Sequence, residues 1–201
     1  MTKIHQPYTE HFSITEELTS SLREKSLFDS RCIFMSEGVT SNTAKRIISD
    51  LILLDKANSS DPIILYINSP GGEVNSGFAI YDVIRYIEAP VTMVTAGLCA
   101  SIATIINVAV PRERRLGLPN SKYLIHQPLI AGQVYGQASD IEITATQIVK
   151  TRAKINQVLA EACNQSIDRL TEDTTRDYWM GAEEALEYGL IGKIITRQSE
   201  I

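Results

Sequence analysis

A serine, a histidine and an aspartate spaced along this 201-residue chain supply the groups for acyl-transfer chemistry. Ser101 lies in Gly97-Leu98-Cys99-Ala100-Ser101-Ile102, inside a run from Ala89 to Val110 that holds no charged residue. His126 follows the apolar segment Tyr123-Leu124-Ile125, and the turn Ser69-Pro70-Gly71-Gly72 ends another, Ile63 to Asn68. A serine hydroxyl is a poor nucleophile at neutral pH. It needs a base to take its proton and donors to hold the developing oxyanion. Ser101 falls at an expected strand-to-helix junction, where backbone N–H groups have no helical partner. The N–H of Ile102 can therefore face a substrate, and Gly72, opening the preceding helix after a tight turn, can supply a second donor.

The third member of such a set must orient His126 and stabilise its charged form. Asp173 and Asp177 both qualify, and Asp177 stands beside the apolar aromatic stretch Tyr178-Trp179-Met180, a setting for a buried carboxylate. Cys99 is a rival nucleophile, but two residues before the junction it belongs on the strand and faces the core. His5 and His11 fall in a polar arm without such partners. Taken singly, each residue has a bland reading: a small buried serine, a simple turn, a satisfied core histidine.

The elements that must position these groups follow from hydrophobic periodicity. Residues 1 to about 26 form a weakly patterned arm. Cys32 to Met35 is a short strand, and a helix capped by Ser41 or Asn42 runs to about Lys56. Pro62 to Asn68 is continuously apolar, as a buried parallel strand would be. A helix runs from Gly72 to about Ile87, a strand from Val91 to Thr95, and a helix from about Ala100 to Val110. Lys122 to Ile125 is a further strand. Asp140 to about Cys163 is a long helix without Gly or Pro, and Lys193 to Thr196 is the last strand. Alternating strands and helices imply an α/β fold with a largely parallel sheet.

Composition narrows the class. Hydrophobic residues make up 44% and charged residues 21%, and the net charge is -5, which argues against general nucleic-acid binding. Pro111-Arg112-Glu113-Arg114-Arg115 is a small basic knot, expected to be a solvated loop. Cys32, Cys99 and Cys163 are far apart, so neither a metal site nor a disulfide framework is expected, and a reducing, cytoplasmic setting fits. Met1 to Pro7 lacks the apolar core of a secretory signal. The Ala89–Val110 run is long enough to span a bilayer, but its threonines, Ser101, Asn107 and Gly97 favour a buried strand and helix. The order Ser…His…Asp and the missing Gly-x-Ser-x-Gly separate the chain from α/β-hydrolases. On residues alone the reading stops at a serine acyl-transferase or hydrolase of α/β class.

From about Arg31 to Thr196 the chain resembles the Clp protease proteolytic subunit family, ClpP. The shared marks are Leu65-Tyr66-Ile67-Asn68-Ser69-Pro70-Gly71-Gly72, Gly97-x-x-Ala100-Ser101, Leu118-Pro119-Asn120-Ser121 and Ile125-His126-Gln127-Pro128. Gly136 to Ile141, Arg176-Asp177 and Glu184-Ala185-x-x-Tyr188-Gly189-Leu190 complete the set. The resemblance implies Ser101 as nucleophile, His126 as base, Asp177 as orienting acid, and the backbone of Gly72 and Ile102 as oxyanion hole. It implies a ClpP/crotonase-like ββα superhelix with a protruding handle helix: a single peptidase domain with an axial arm (1–26), a head (27–137 and 164–201) and a handle (138–163). It further implies two stacked seven-membered rings, a tetradecamer fed with unfolded polypeptide by an ATP-driven AAA+ unfoldase of ClpX, ClpA or ClpC type, with no cofactor, metal, nucleic acid or membrane. Several positions depart from the family pattern. Leu98 and Cys99 stand where Gln and Ala are usual, Ile102 replaces Met, Thr175 replaces an acid, Asn164 replaces Gly, and Leu129 to Tyr135 is about two residues longer. These departures resemble those of a divergent paralogue that takes a second ClpP subunit in mixed rings. The alternatives are a weakly active structural subunit of such a ring and a crotonase-type acyl-CoA enzyme.

Overall fold

Every second residue of Ile63-Ile64-Leu65-Tyr66-Ile67 is wholly buried, and the intervening Ile64 and Tyr66 are also half-covered. A strand covered on both faces belongs in the middle of a parallel sheet. The computed structural model, which describes residues 22–129 and 136–201, places it there. Helix α1 covers residues 22–29. Then come β1 (Cys32–Met35), α2 (Ser41–Ala57), β2 (Ile63–Ser69), α3 (Val74–Tyr86), β3 (Val91–Ala100) and α4 (Ile102–Asn107). β4 (Arg115–Gly117), β5 (Lys122–Ile125), α5 (Ala138–Cys163), α6 (Ile167–Asp173), β6 (Tyr178–Met180), α7 (Ala182–Tyr188) and β7 (Lys193–Ile194) complete the described chain. The sheet runs β1-β2-β3-β4-β7, all parallel. β5 adds to β3 in parallel, and β6 is antiparallel to β5. A larger core of Ile47, Leu51, Leu65, Met93, Ile105 and their neighbours lies on one face, and Val94, Leu116 and Ile195 form a smaller cluster on the other.

Several expected boundaries move, for local reasons. The cap of α2 is Thr40, ahead of both Ser41 and Asn42; its side-chain oxygen accepts from the Thr43 N–H at 3.2 Å. β3 does not stop at Thr95. Gly97, at φ 114, lets the strand turn past Asn68, whose Oδ1 accepts from the Leu98 N–H at 3.0 Å, and the strand continues to Ala100 with β5 as its new partner. The helix after it is shorter than the apolar run suggests, Ile102–Asn107 rather than Ala100 to Val110. The Ala89–Val110 run therefore folds as β3 and α4, and no described helix is long and apolar enough to cross a membrane. β4, α6, β6 and α7 are too short to carry a clear period. Within the segment expected to be weakly patterned, residues 22–26 belong to helix α1. His5, His11 and the segment after Leu129 expected to be lengthened lie largely outside the described residues.

α5 is packed on one half only. Its buried residues are Ile155, Asn156, Leu159, Ala160 and Cys163, while Ile141, Ile143 and Val149 in the first half are exposed. Asn164 ends it in the left-handed conformation, φ 53.

The basic knot is not a solvated loop. Arg112, Glu113 and Arg114 are exposed, but Arg115 is 4% exposed. Its Nε donates to the Val110 carbonyl at 2.7 Å, and its Nη1 donates to Ala162 at 2.9 Å and Gly189 at 3.3 Å. Ala162 lies in the last turn of α5, and Gly189 is the C-cap of α7. Carbonyls left unpaired at helix ends carry partial negative charge, and a guanidinium can serve several at once. Burial pulls the pKa of Arg115 down from its ordinary value, yet no carboxylate among the described residues pairs with it. Arg115→Met leaves these carbonyls without their donor and is expected to destabilise the fold by about 2–4 kcal/mol. The urea midpoint should fall accordingly, with only partial recovery in Arg115→Lys; an unchanged midpoint in the Met variant contradicts this role.

Candidate active site

Ser101 is one of three described non-glycine residues with positive φ, at φ 57 and ψ -128. Such a backbone costs on the order of 1–3 kcal/mol and persists only where neighbours over-determine it. Here the Ser101 N–H donates to the Leu124 carbonyl at 2.8 Å, tying the end of β3 to β5. The Ser101 carbonyl in turn accepts from the N–H and hydroxyl of Thr104, at 3.0 and 2.7 Å. Gly71, at φ 86, leaves the space: a Cβ there would sit 2.6 Å from the Ala100 carbonyl and 2.7 Å from Ser101 Cβ. The result is a sharp strand-to-helix elbow that pushes the hydroxyl out of the turn. It is the same kind of strained turn that presents the nucleophile in α/β-hydrolases, built here without their glycine motif.

β5 pairs beside β3, so His126 emerges one residue past its end and meets Ser101. His126 Nε2 lies 2.8 Å from Ser101 Oγ, and Nδ1 lies 3.1 Å from Asp177 Oδ1. With the hydroxyl donating to Nε2, the Nδ1–H donates to the carboxylate. The strand end is stitched to the acid-bearing segment twice more. The Gln127 N–H donates to the Thr174 carbonyl at 2.7 Å, and Gln127 Nε2 donates to the Thr175 carbonyl at 2.9 Å. These contacts hold the stretch between α6 and β6 against β5; Gln127 stands in the family mark Ile125-His126-Gln127-Pro128, but this role shows only in the structure.

The two acidic candidates separate cleanly, though against the expectation from burial. Asp177 has a side chain 64% exposed, not buried, yet it meets His126. Asp173 is the better-buried carboxylate at 17%, and it is occupied elsewhere. It accepts from Tyr188 Oη at 2.7 Å and pairs with Arg169 Nε at 3.4 Å. Burial, then the adjoining Asp173 carboxylate, pushes the Tyr188 phenol well above its ordinary pKa, so it remains a donor. Cys99 is fully buried on β3, and burial pushes its pKa far up, leaving an inert thiol. Among the described residues the Gly72 and Ile102 N–H groups donate to no backbone or side-chain acceptor outside the regular ladders. The turn that carries Gly72 is fixed from behind. The Val39 N–H donates to the Gly71 carbonyl and the Glu73 N–H to the Val39 carbonyl, both at 2.8 Å. A Cβ on Gly72 would collide with the Val39 carbonyl.

A strained serine, a histidine within proton-transfer distance and a carboxylate behind it define a serine hydrolase on a parallel α/β scaffold. The comparisons make the class particular: the chain belongs to the Clp protease family, whose model matches residues 15–198. It is 45% identical over 178 residues to the ATP-dependent Clp protease proteolytic subunit 3 of Rhizobium etli, covering 89% of this chain and 90% of that protein. It is 42% identical over 173 residues to subunit 2 of Treponema pallidum, covering 86% of each. A ClpP1 point mutant from Listeria monocytogenes has the same fold, with TM-score 0.80, 36% identity, and coverage of 87% of this chain and 96% of that one. The chain is thus a ClpP paralogue, a protease of serine type with the ClpP fold.

Asp177→Asn is expected to lower kcat by about 10²- to 10⁴-fold, because an amide favours the wrong imidazole tautomer; the upper figure comes from a serine protease whose acid is buried. Asp173→Asn should instead lower the melting temperature with a smaller effect on kcat. Steady-state peptide hydrolysis and thermal unfolding of both variants check this, and a larger kcat loss at 173 reverses the assignment.

Proposed function

We propose that Ser101, His126 and Asp177 form the catalytic triad of an endopeptidase that cuts unfolded polypeptides into short peptides. The observation that carries this reading is the 2.8 Å contact between His126 Nε2 and Ser101 Oγ on a strained elbow. Ser101 Oγ attacks the substrate carbonyl carbon while His126 Nε2 takes the hydroxyl proton. The new oxyanion is held by the free N–H groups of Ile102 and Gly72. Collapse breaks the C–N bond, and His126 returns its proton to the leaving amine. Water, deprotonated by His126, then releases the acyl group from Ser101. Asp177 keeps Nδ1 protonated and stabilises the imidazolium formed in each half-reaction.

Membership of the family supports the rest of the proposal. The chain assembles with itself into stacked seven-membered rings, with α5 as the handle between them. The exposed Ile143 and Val149 on the unpacked half of that helix are an apolar surface that a second copy would cover. The one-domain division into arm, head and handle belongs to the same proposal. So does a cytoplasmic complex in which an ATP-driven unfoldase feeds the chamber. The relatives' numbered names, subunit 3 and subunit 2, support a paralogue that shares mixed rings with another ClpP. A crotonase-type acyl-CoA reading uses only the glycine turn and leaves the Ser101–His126 pair without a purpose.

Ser101→Ala is expected to abolish labelling by a fluorophosphonate probe and to lower peptide hydrolysis by up to ~10⁶-fold, the loss measured for a triad serine in another protease. Its melting temperature should change little, since the substitution removes one hydroxyl and its hydrogen bond to His126 and leaves the backbone in place. Unlabelled wild-type protein, assembled alone or with a paralogue, would point to a structural subunit instead.

A further inference from the structure

Two side chains one turn apart on α5, Arg152 and Asn156, reach the segment that carries Asp177. Residues four apart share a face of a helix, and this face meets the exit of α6. Asn156 Oδ1 accepts from the Thr174 hydroxyl at 3.1 Å, and both residues are buried. Arg152 Nη2 donates to the Thr171 carbonyl and to the Thr175 hydroxyl oxygen, each at 3.3 Å. The Thr175 hydroxyl donates to the same Thr171 carbonyl at 2.8 Å, so the guanidinium grips the last turn of α6 together with the residues that follow it.

This grip is costly. The acceptors are neutral, none of the ion pairs among the described residues includes Arg152, and its Nε is buried without a hydrogen-bond partner there. A buried N–H on a charged group that meets no acceptor lowers stability. Thr175 lies two residues before Asp177, so the cost falls where a constraint on position matters to the site.

The ladder shows which side of Asp177 needs the constraint. β5 and β6 pair Ile125 with Tyr178, which makes His126 and Asp177 the next pair in register, just past the ladder's end. The sheet therefore fixes Asp177 from the β6 side. On the α6 side, residues 174–177 belong to no helix or strand, and Arg176 and Asp177 are exposed. Gln127 holds the carbonyls of Thr174 and Thr175 to β5, while Asn156 and Arg152 hold their hydroxyls to α5. The Asp177 Oδ1 to His126 Nδ1 distance of 3.1 Å is already toward the long end of a hydrogen bond, so a small shift of this turn breaks it.

Building on the peptidase reading, we propose that Arg152 and Asn156 are positioning residues: a clamp on α5 that holds the Thr174–Thr175 turn so that the Asp177 carboxylate stays on His126 Nδ1. They act through Asp177 and not on the substrate.

The test uses the full chain, with sites counted by fluorophosphonate labelling carried to completion. Arg152→Met and Asn156→Leu should each lower kcat per labelled site by about tenfold with KM nearly unchanged, because a displaced acid weakens the transition state and not substrate binding. A carboxylate at Nδ1 favours the charged imidazole. Its displacement should therefore move the acid limb of kcat/KM to lower pH, the direction in which Asp177→Asn moves it. Arg152→Lys keeps the charge and one donor and should retain more kcat than Arg152→Met. In the Asp177→Asn background, Arg152→Met should cost less than about twofold further, since residues that act as a unit are not additive. A lower melting temperature with kcat per site and the acid limb both at wild-type values makes the contacts merely structural and overturns the proposal. So does a full tenfold loss in the Asp177→Asn background. Should Arg152→Met fail to fold, Asn156→Leu and Arg152→Lys carry the same comparison. Asp177→Asn with wild-type kcat overturns the triad reading and this inference with it.

Discussion

Ser101 can hold a left-handed backbone only because three neighbours give it no alternative. Leu124 takes its N–H, Thr104 donates twice to its carbonyl, and Gly71 vacates the volume that a Cβ would fill. The conformation ends β3 abruptly, starts α4 in a new direction and leaves the Ile102 N–H without an acceptor. An exposed hydroxyl and an unpaired N–H beside it are thus two consequences of one strained torsion. The cost of that torsion is borne by the sheet: β5 must lie beside the far half of β3 for Leu124 to be within reach.

The same pairing brings His126 to Ser101. β3 is shared, with β2 and β4 on its first half and β5 on its second, and Gly97 with Asn68 makes the change of partner. A strand that stopped at Thr95 would leave β5 paired to β6 alone, off the main sheet, and His126 far from Ser101. The carboxylate behind His126 arrives more loosely. Asp177 sits on an irregular segment held to β5 by Gln127, and its carboxylate is exposed in the single chain. A site with two rigid members and one member on a tethered loop is one whose alignment responds to whatever packs against that loop.

Burial of charge explains the lower half of the molecule. Arg115 collects carbonyls from the end of the α4 segment, the last turn of α5 and the cap of α7, so a single cation closes three chain ends that would otherwise be unpaired in the core. Burial also raises the thiol of Cys163 beside it to about 11, with Arg115 and Arg112 pulling the other way, so that it stays neutral. α5 is anchored by this end while its first half stands away from the body.

The sequence by itself determined the strands and helices with long apolar runs and the α/β class, and it singled out Ser101, His126 and the glycine turn that the structure brings together. It could do so because these rest on local facts: periodicity, turn chemistry and residue type at an element's end. The aromatic stretch beside Asp177 suggested a buried carboxylate and the family resemblance pointed to the same residue, but the structure leaves Asp177 exposed and buries Asp173 instead. Tertiary structure decided what depends on contacts distant in the chain. It committed Asp173 to Tyr188 and Arg169, buried Arg115 out of an apparently solvated loop, shortened α4 by twisting Ser101, and carried β3 past Gly97. Each of these rests on contacts between residues far apart in the chain, which no local pattern of residue types encodes.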